Sequence, residues 1–334
     1  MASIVSSVAD GTRWGLRSWG TRVALLSRRP HDLAFRTLVL LSVWIVLLIV
    51  LAVAGILIIS SWPTIKAFGI SFLTNEAFDP IHDSFGVRPA LFGTFATSAF
   101  ALLFAVPLGV GTAVFLTEFC PQSLRGSLDF LVDALAAIPS IVLGLWGFLA
   151  FAPWLQNSGE RWLQRHFGWL PFFQGTPHGL GLLAAGSILT VMILPILTSI
   201  SREVLATVPV EQREGLLALG ATRWEVIRFV LLPQGGAGIA GAAILALGRA
   251  LGETIAVTLV IGNQAAPPSA SLFNTGYTLS SVIANQFGEA TPGLFLSAVL
   301  EAGLLLLLIT LVTNILARLL LARFGRQETR GGTR

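Results

Sequence analysis

Residues 201–234 read SREVLATVPVEQREGLLALGATRWEVIRFVLLPQ and lie between two long apolar runs. They carry Arg202, Glu203, Glu211, Arg213, Glu214, Arg223, Glu225 and Arg228 in a chain that is only 11% charged. Charge at this density belongs in water, since unpaired ions are costly in an apolar medium. The pattern predicts two short helices: Pro209 stands where a helix begins and Gly220 where one ends. Thr222-Arg223-Trp224-Glu225 fits a capping box opening a second helix, whose Val226, Ile227, Val230 and Leu231 share a face until Pro233 stops it. A docking surface and a plain helical connector both fit this pattern, because caps and amphipathicity report folding and not function.

The apolar flanks extend to the whole chain. With 334 residues, 54% hydrophobic content and a mean hydropathy of +0.80, the composition is that of a polytopic all-α membrane protein. Six runs of spanning length stand out, at 38–59, 92–116, 128–151, 180–200, 236–262 and 294–316. They form a six-span domain over 37–320, between basic tails at 1–36 and 321–334. The first run is long enough to be a retained span and not a cleaved signal. Trp14 and Trp19 suit a membrane interface, as do Trp154, Trp162 and Trp169 on the other side.

Sixteen of the 21 lysines and arginines fall in the two tails, at Arg318 beside the second of them, and in the segments 118–127 and 201–234. The opposite side holds Lys66, Arg88, Arg161 and Arg165, so the positive-inside rule gives an N-in, C-in topology. Pro107, Gly109 and Gly111 are read as interrupting the second span, and 263–292 as a Gly, Ser and Asn-rich outer stretch.

Ionisable residues inside spans are expensive enough to count as site candidates. Arg249 and Glu253 fall near the middle of the fifth, four residues apart and so on one helix face, with Thr254 beside them. A guanidinium fork there suits a passing tetrahedral oxyanion; a permanent ion pair tying helices together is the alternative. Glu301 and Ser140 are secondary candidates for the path or for structure, and Asp133 lies near the inner surface. Small residues Gly238, Ala242, Ala246, Ala250, Gly248 and Gly252 favour close helix packing, within the chain or against a second subunit.

Several classes are excluded. The one lysine, Lys66, is not in a Gly-Lys-Ser/Thr motif, so the chain has no P-loop for ATP. All four histidines fall outside the spans, which rules out a histidine-metal or Ser-His centre in the membrane. Cys120 has no disulfide partner. The arginines do not interleave with aromatics on a polar domain, so nucleic acid is not an expected partner.

Glu214-Gly215-Leu216, three residues, Gly220, nine residues and Val230-Leu231-Leu232-Pro233 resemble the EAA loop of ABC importer permeases, E-A-A-x3-G-x9-I-x-L-P. The spacing is intact, while Gly215 and Leu216 replace the alanines and Val230 the isoleucine. Leu135-Ala136-Ala137-Ile138-Pro139-Ser140 with Gly144-Leu145-Trp146-Gly147, then Gly248 to Val257 (GRALGETIAV), Glu301-Ala302-Gly303 through Asn314 to Arg318, and Phe78-Asp79-Pro80 resemble the phosphate importer permeases. The likeness runs from about the second span to the end of the sixth. It implies a type I importer permease fold with a cytoplasmic coupling helix in the loop 201–234, where Glu214, Gly215, Gly220, Arg223 and Pro233 serve ATPase coupling. It implies a substrate path through Arg249, Glu253 and Thr254. It further implies a homologous second permease, two ATP-binding subunits and an extracytoplasmic phosphate-binding protein, with no catalysis and no cofactor on this chain, ATP being used by the partners. The rivals are the partner permease itself, a sulfate or molybdate permease, an ATP-independent anion channel or carrier, and an assembly scaffold.

Overall fold

Gly93 shows how tightly the spans are packed: a Cβ placed on it would lie 2.0 Å from the Tyr277 carbonyl oxygen. The computed structural model describes residues 30–264 and 269–331, so the tail before residue 30, with Trp14 and Trp19, lies outside the described residues. The chain divides into two units, 1–56 and 57–334. The described part of the first is the beginning of helix α1 (Pro30–Phe68), which is uncharged from Thr37 to Ile56 and whose leucines and isoleucines there face outward, as lipid requires. The helix continues past the expected end at 59 to Phe68, and it also begins within the segment read as a tail.

In the second unit, the end of α1 is fixed by Thr64, whose N–H donates to Ser297 Oγ at 3.1 Å. Helix α2 (Arg88–Val114) starts with Pro89 in its first turn and runs unbroken through Pro107, Gly109 and Gly111, contrary to the interruption expected there. Its buried face is small: Ala90, Gly93, Thr94, Thr97, Ala101, Ala105, Gly109 and Ala113. Thr94 and Thr97 return their hydroxyls to the helix's own carbonyls of Ala90 and Gly93, at 2.7 Å each, and so enter the core without an unpaired donor.

That small face receives α6 (Leu182–Ala206), which runs parallel to it. Leu182 lies by Gly93, Phe100 by Gly186 and Leu197 by Gly109. Ile188, Leu189, Ile193 and Leu197 of α6 form the centre of the core. The helix extends beyond the expected 200, so Arg202 and Glu203 belong to the span's last turns and not to the loop. Arg202 pairs there with Asp129 of α3 (Gln122–Ala137).

The third span is not straight. Helix α3 ends at Ala137, Ile138 and Pro139 are extended, and α4 (Ser140–Trp146) continues through wide turns into α5 (Glu160–Phe167) at 89° to α3. The expected helix over 128–151 is therefore corrected to a bent pair. Pro139 disfavours helical backbone at the preceding residue and donates no hydrogen bond. The helix continues past Pro153 and Pro233 because a π turn precedes each, Gly147–Phe151 and Ile227–Leu231, and its wider winding accommodates the ring.

After the loop helices α7 (Val210–Ala218) and α8 (Arg223–Val226), the chain runs through the second π turn into α9 (Leu232–Gly252). Pro233, read as a stop, is inside one continuous helical stretch from Arg223 to Gly252. A break at Glu253 and Thr254 leads to α10 (Ile255–Val260). The segment expected to be an outer stretch contains α11 (Leu279–Gln286), with Leu279, Ser280, Ser281 and Val282 buried, and α12 (Leu294–Gly331) closes the chain. Among the described residues, five helices are long and apolar enough to cross a membrane, and the bent pair counted as one span gives a sixth.

The packing at Gly93 yields a test. Gly93→Ala is expected to destabilise the protein by about 1–3 kcal/mol, since the atom met is backbone and cannot swing aside. Gly111→Ala, where nothing lies within 4 Å of the added Cβ, is expected to be neutral or stabilising. Thermal unfolding in detergent measures both, and equal melting temperatures would contradict the packing.

Candidate functional site: a broken span and a cytoplasmic loop

Two regions collect the candidate residues. The first is the break in the fifth span. Helix α9 ends at Gly252, and Glu253 is extended (φ −71°, ψ 123°), so Arg249 and Glu253 do not share a continuous helix face as the spacing suggested. They still pair, Nη2 to Oε2 at 3.7 Å, a loose contact. The two differ sharply in exposure: the Arg249 side chain is 46% exposed and that of Glu253 only 8%. The guanidinium is thus presented outward from α9 while its counter-charge is sunk in the fold.

What holds the break is a set of buried hydroxyls that sequence reading passed over. Ser280 Oγ donates to the Glu253 carbonyl at 2.8 Å, occupying an oxygen that the interrupted helix would otherwise have bonded. Thr278 caps α11 reciprocally with Ser281, and its hydroxyl meets Ser280 Oγ at 3.1 Å. Leu279 N–H donates to Thr94 Oγ1 of α2 at 2.9 Å. The chain of bonds runs from α2 through the start of α11 to Glu253. Thr278, Ser280 and Ser281 sit in a Thr-Leu-Ser-Ser capping pattern, the one signal in the sequence that pointed to a helix start there.

The bend of the third span lies against this break. Gly144 of α4 packs on Ala256 of α10, 2.7 Å from a would-be Cβ to the Ala256 Cα, and Gly147 packs on Val260. Ser140 opens α4 one turn before Gly144 and is half-buried. Thr254 stands at the N-cap position of α10 without a side-chain cap bond, its hydroxyl donating instead to the Gly252 carbonyl at 3.2 Å. Glu301 is buried on α12, its Oε2 without a hydrogen-bond partner, and no ion pair joins it to Arg249 among the described residues. Asp133 is exposed on α3.

Ser280→Ala tests the hydroxyl chain. Leaving a buried carbonyl unbonded is expected to cost about 1–3 kcal/mol, read as a lower melting temperature that Ser280→Thr restores. Unchanged melting in Ser280→Ala would mean that the bond contributes nothing.

The second region is the loop. Helix α7 ends at Ala218, and Gly220 takes φ +87°; Gly220 N–H donates to the Leu217 carbonyl and Ala221 N–H to that of Leu216, which is the Schellman closure. The capping box at Thr222 forms as its spacing predicts: Glu225 N–H donates to Thr222 Oγ1 and Thr222 N–H to Glu225 Oε2. The Thr222 bonds hold the Glu225 carboxyl below its ordinary range, so this cap is lost only as pH falls through that depressed value. Val226, Ile227, Val230 and Leu231 are all buried, as their shared face requires.

The outer side of the loop remains apolar. Leu219 is 85% exposed and Trp224 62%, with Val210, Leu217 and Phe229 also open. Glu214 and Gly215 are exposed on α7, and Pro233 is exposed on α9. Arg223, also exposed, donates from its Nη1 to the Glu118 carbonyl at 3.2 Å.

A helical bundle of six spans with a broken span carrying a guanidinium and a structured inner loop defines a membrane permease. The family model for the binding-protein-dependent transport system inner membrane component matches residues 105–326. The phosphate transport system permease protein PstC of Mesorhizobium japonicum is 45% identical over 84% of this chain and 86% of its own. That of Haemophilus influenzae is 42% identical over 89% and 94%. Among solved structures, a bacterial ABC transporter importing the polysaccharide alginate shares the fold with a TM-score of 0.57 at 17% identity, covering 90% of this chain and 99% of that one. The methionine transporter MetNI in an inward-facing form gives 0.51 at 20% identity over 71% and 95%. The chain belongs to the binding-protein-dependent inner membrane permeases, among the PstC proteins.

Proposed function

We propose that this chain is the transmembrane permease subunit of an ATP-driven importer for inorganic phosphate. It forms the path with a homologous PstA-like permease, receives phosphate from an extracytoplasmic PstS-like binding protein, and is driven by two PstB-like ATP-binding subunits. It lies in the cell membrane and binds neither cofactor nor nucleic acid; ATP is used by the partners. The observation that carries the reading is the loop 201–234. A rigid, doubly capped helix pair exposing Leu219 and Trp224 to water fits an apolar docking face more closely than a connector. Closure of the ATPases displaces this loop and, through it, the α6 and α9 spans.

The geometry of the break supports the path. An intramembrane guanidinium is tolerated where it faces a cavity or a partner, and Arg249 is presented outward with its fork free of hydrogen bonds among the described residues. Uptake of labelled phosphate by cells carrying the complete transporter tests the substrate: excess sulfate is expected to leave it unchanged, and effective competition by sulfate would sink the phosphate reading. Purified in liposomes without ATPase, the chain is expected to conduct no anions.

A further inference from the structure

Helix α8 runs on into the α9 span, whereas α7 is tied to the spans at few points, and the polar bonds of both helices gather at Glu118, beside a Gln212–Gln234 contact from α7 to α9. Helix α7 lends only Leu216 to the apolar cluster at the inner ends of the spans. Its main polar anchor is Arg213, which is 17% exposed. Arg213 Nη1 donates to Glu118 Oε1 at 2.7 Å, and Nη2 donates to the Val208 carbonyl at 3.2 Å and to that of Leu205 at the end of α6. The other loop helix, α8, reaches the same residue from its first position, Arg223 donating to the Glu118 carbonyl. Glu118 itself is 16% exposed and sits in the π turn Phe115–Phe119 that ends α2.

This turn has the features of a joint. A π turn leaves backbone carbonyls displaced from the regular ladder, and here guanidiniums take two of them, Arg223 the Glu118 oxygen and Arg125 the Thr117 oxygen, the latter at 2.7 Å. An ion pair at this depth differs from one in open water: it is weakly screened, and breaking it strands a charge. Any motion of the loop therefore drags Glu118 or breaks the pair. Since α2 and α6 lie side by side in parallel, a pull on Glu118 and the same guanidinium's hold on the α6 terminus act on neighbouring helices at once.

We infer that Glu118 is the positioning residue through which the loop 201–234 drives α2, with Arg213 as the shared clamp between α2 and α6. The inference rests on the loop being the ATPase-docking element. It adds a third moving span to α6 and α9, one that the loop's place in the chain does not indicate.

The test uses the complete transporter reconstituted with its ATPases and binding protein, and reads phosphate imported per ATP hydrolysed. Glu118→Gln is expected to lower this ratio about tenfold, with ATPase co-purification and the KM for phosphate unchanged. Arg213→Lys, which keeps the charge but loses the fork, is expected to lower it as well, and Glu118→Gln combined with Arg213→Lys to be no worse than the lower single variant. An unchanged ratio in Glu118→Gln, even with a lower melting temperature, would reduce the pair to a structural tie and overturn the inference. So would loss of the ATPase from Glu118→Gln while the unmodified chain retains it, because the pair would then be shaping the docking face. If the unmodified chain retains no ATPase, the docking reading fails first and takes this inference with it.

Discussion

Replacing Arg249 by glutamine is expected to lower phosphate uptake by about ten- to a hundredfold while the assembled complex, ATPases included, purifies as before. The estimate follows from losing a charge-assisted hydrogen bond to an oxyanion, about 1.5–3 kcal/mol, at 1.4 kcal/mol per factor of ten. Glutamine keeps much of the length and an amide donor but neither the charge nor the planar fork. Assembly is expected to survive because Arg249 is 46% exposed and its contact with Glu253, at 3.7 Å, is too long to anchor a helix. The break itself is held elsewhere, by Ser280 on the Glu253 carbonyl. Arg249→Lys should fall between, retaining the point charge without bidentate geometry. Labelled uptake and co-purification together decide the matter. Normal uptake in Arg249→Gln would make the pair merely structural, and loss of the complex would show that Arg249 holds the subunits together.

Gly220→Val is expected to strip the ATPase from the purified complex without unfolding the spans. Gly220 has φ +87°, where a β-branched residue is a genuine outlier, and nothing lies within 4 Å of the position a Cβ would take. The effect is thus conformational and not steric: about 1–2 kcal/mol of left-handed strain on the turn that sets α7 against α8. Relieving it opens the Schellman closure and shifts the exposed Leu219 relative to Trp224. The cost stays in an exposed loop, so the melting temperature of the spans is expected to change little. Asparagine tolerates this backbone better than alanine, and alanine better than valine, so ATPase retention is expected to fall in the order Asn, Ala, Val. Equal retention across the series would contradict the docking role. Replacing Glu214, exposed on α7, is expected to weaken docking in the same assay.

Much of this molecule is legible along the chain, because the responsible forces act locally. Each span announces itself by some 20 apolar residues. The loop helices follow from Pro209, Gly220 and the Thr222 to Glu225 box, all realised within a few residues of where they stand. The interruptions are harder to read. Proline alone does not decide them: α2 and α6 pass through Pro107 and Pro195, π turns carry the helix past Pro153 and Pro233, and only Pro139 accompanies a sharp bend. What distinguishes the cases is whether a neighbouring helix or a wider turn can take over the freed backbone groups, and that is a property of the packing.

The chain by itself determined six spans and the paired helices of the loop 201–234, since hydrophobic length and cap chemistry need no distant partner. Only the tertiary structure decided three other things. Glu253 leaves the helix because Ser280, from a segment that reads as an outer loop, supplies a bond to its carbonyl. The Ser and Thr side chains around residue 280 are buried because α2 and their own caps satisfy them, so their polarity does not keep them outside. Arg213 meets Glu118 across 95 residues of chain, a pairing that no local pattern encodes. In each case one group's partner is chosen by which helices stand side by side, and that choice is made by the whole fold.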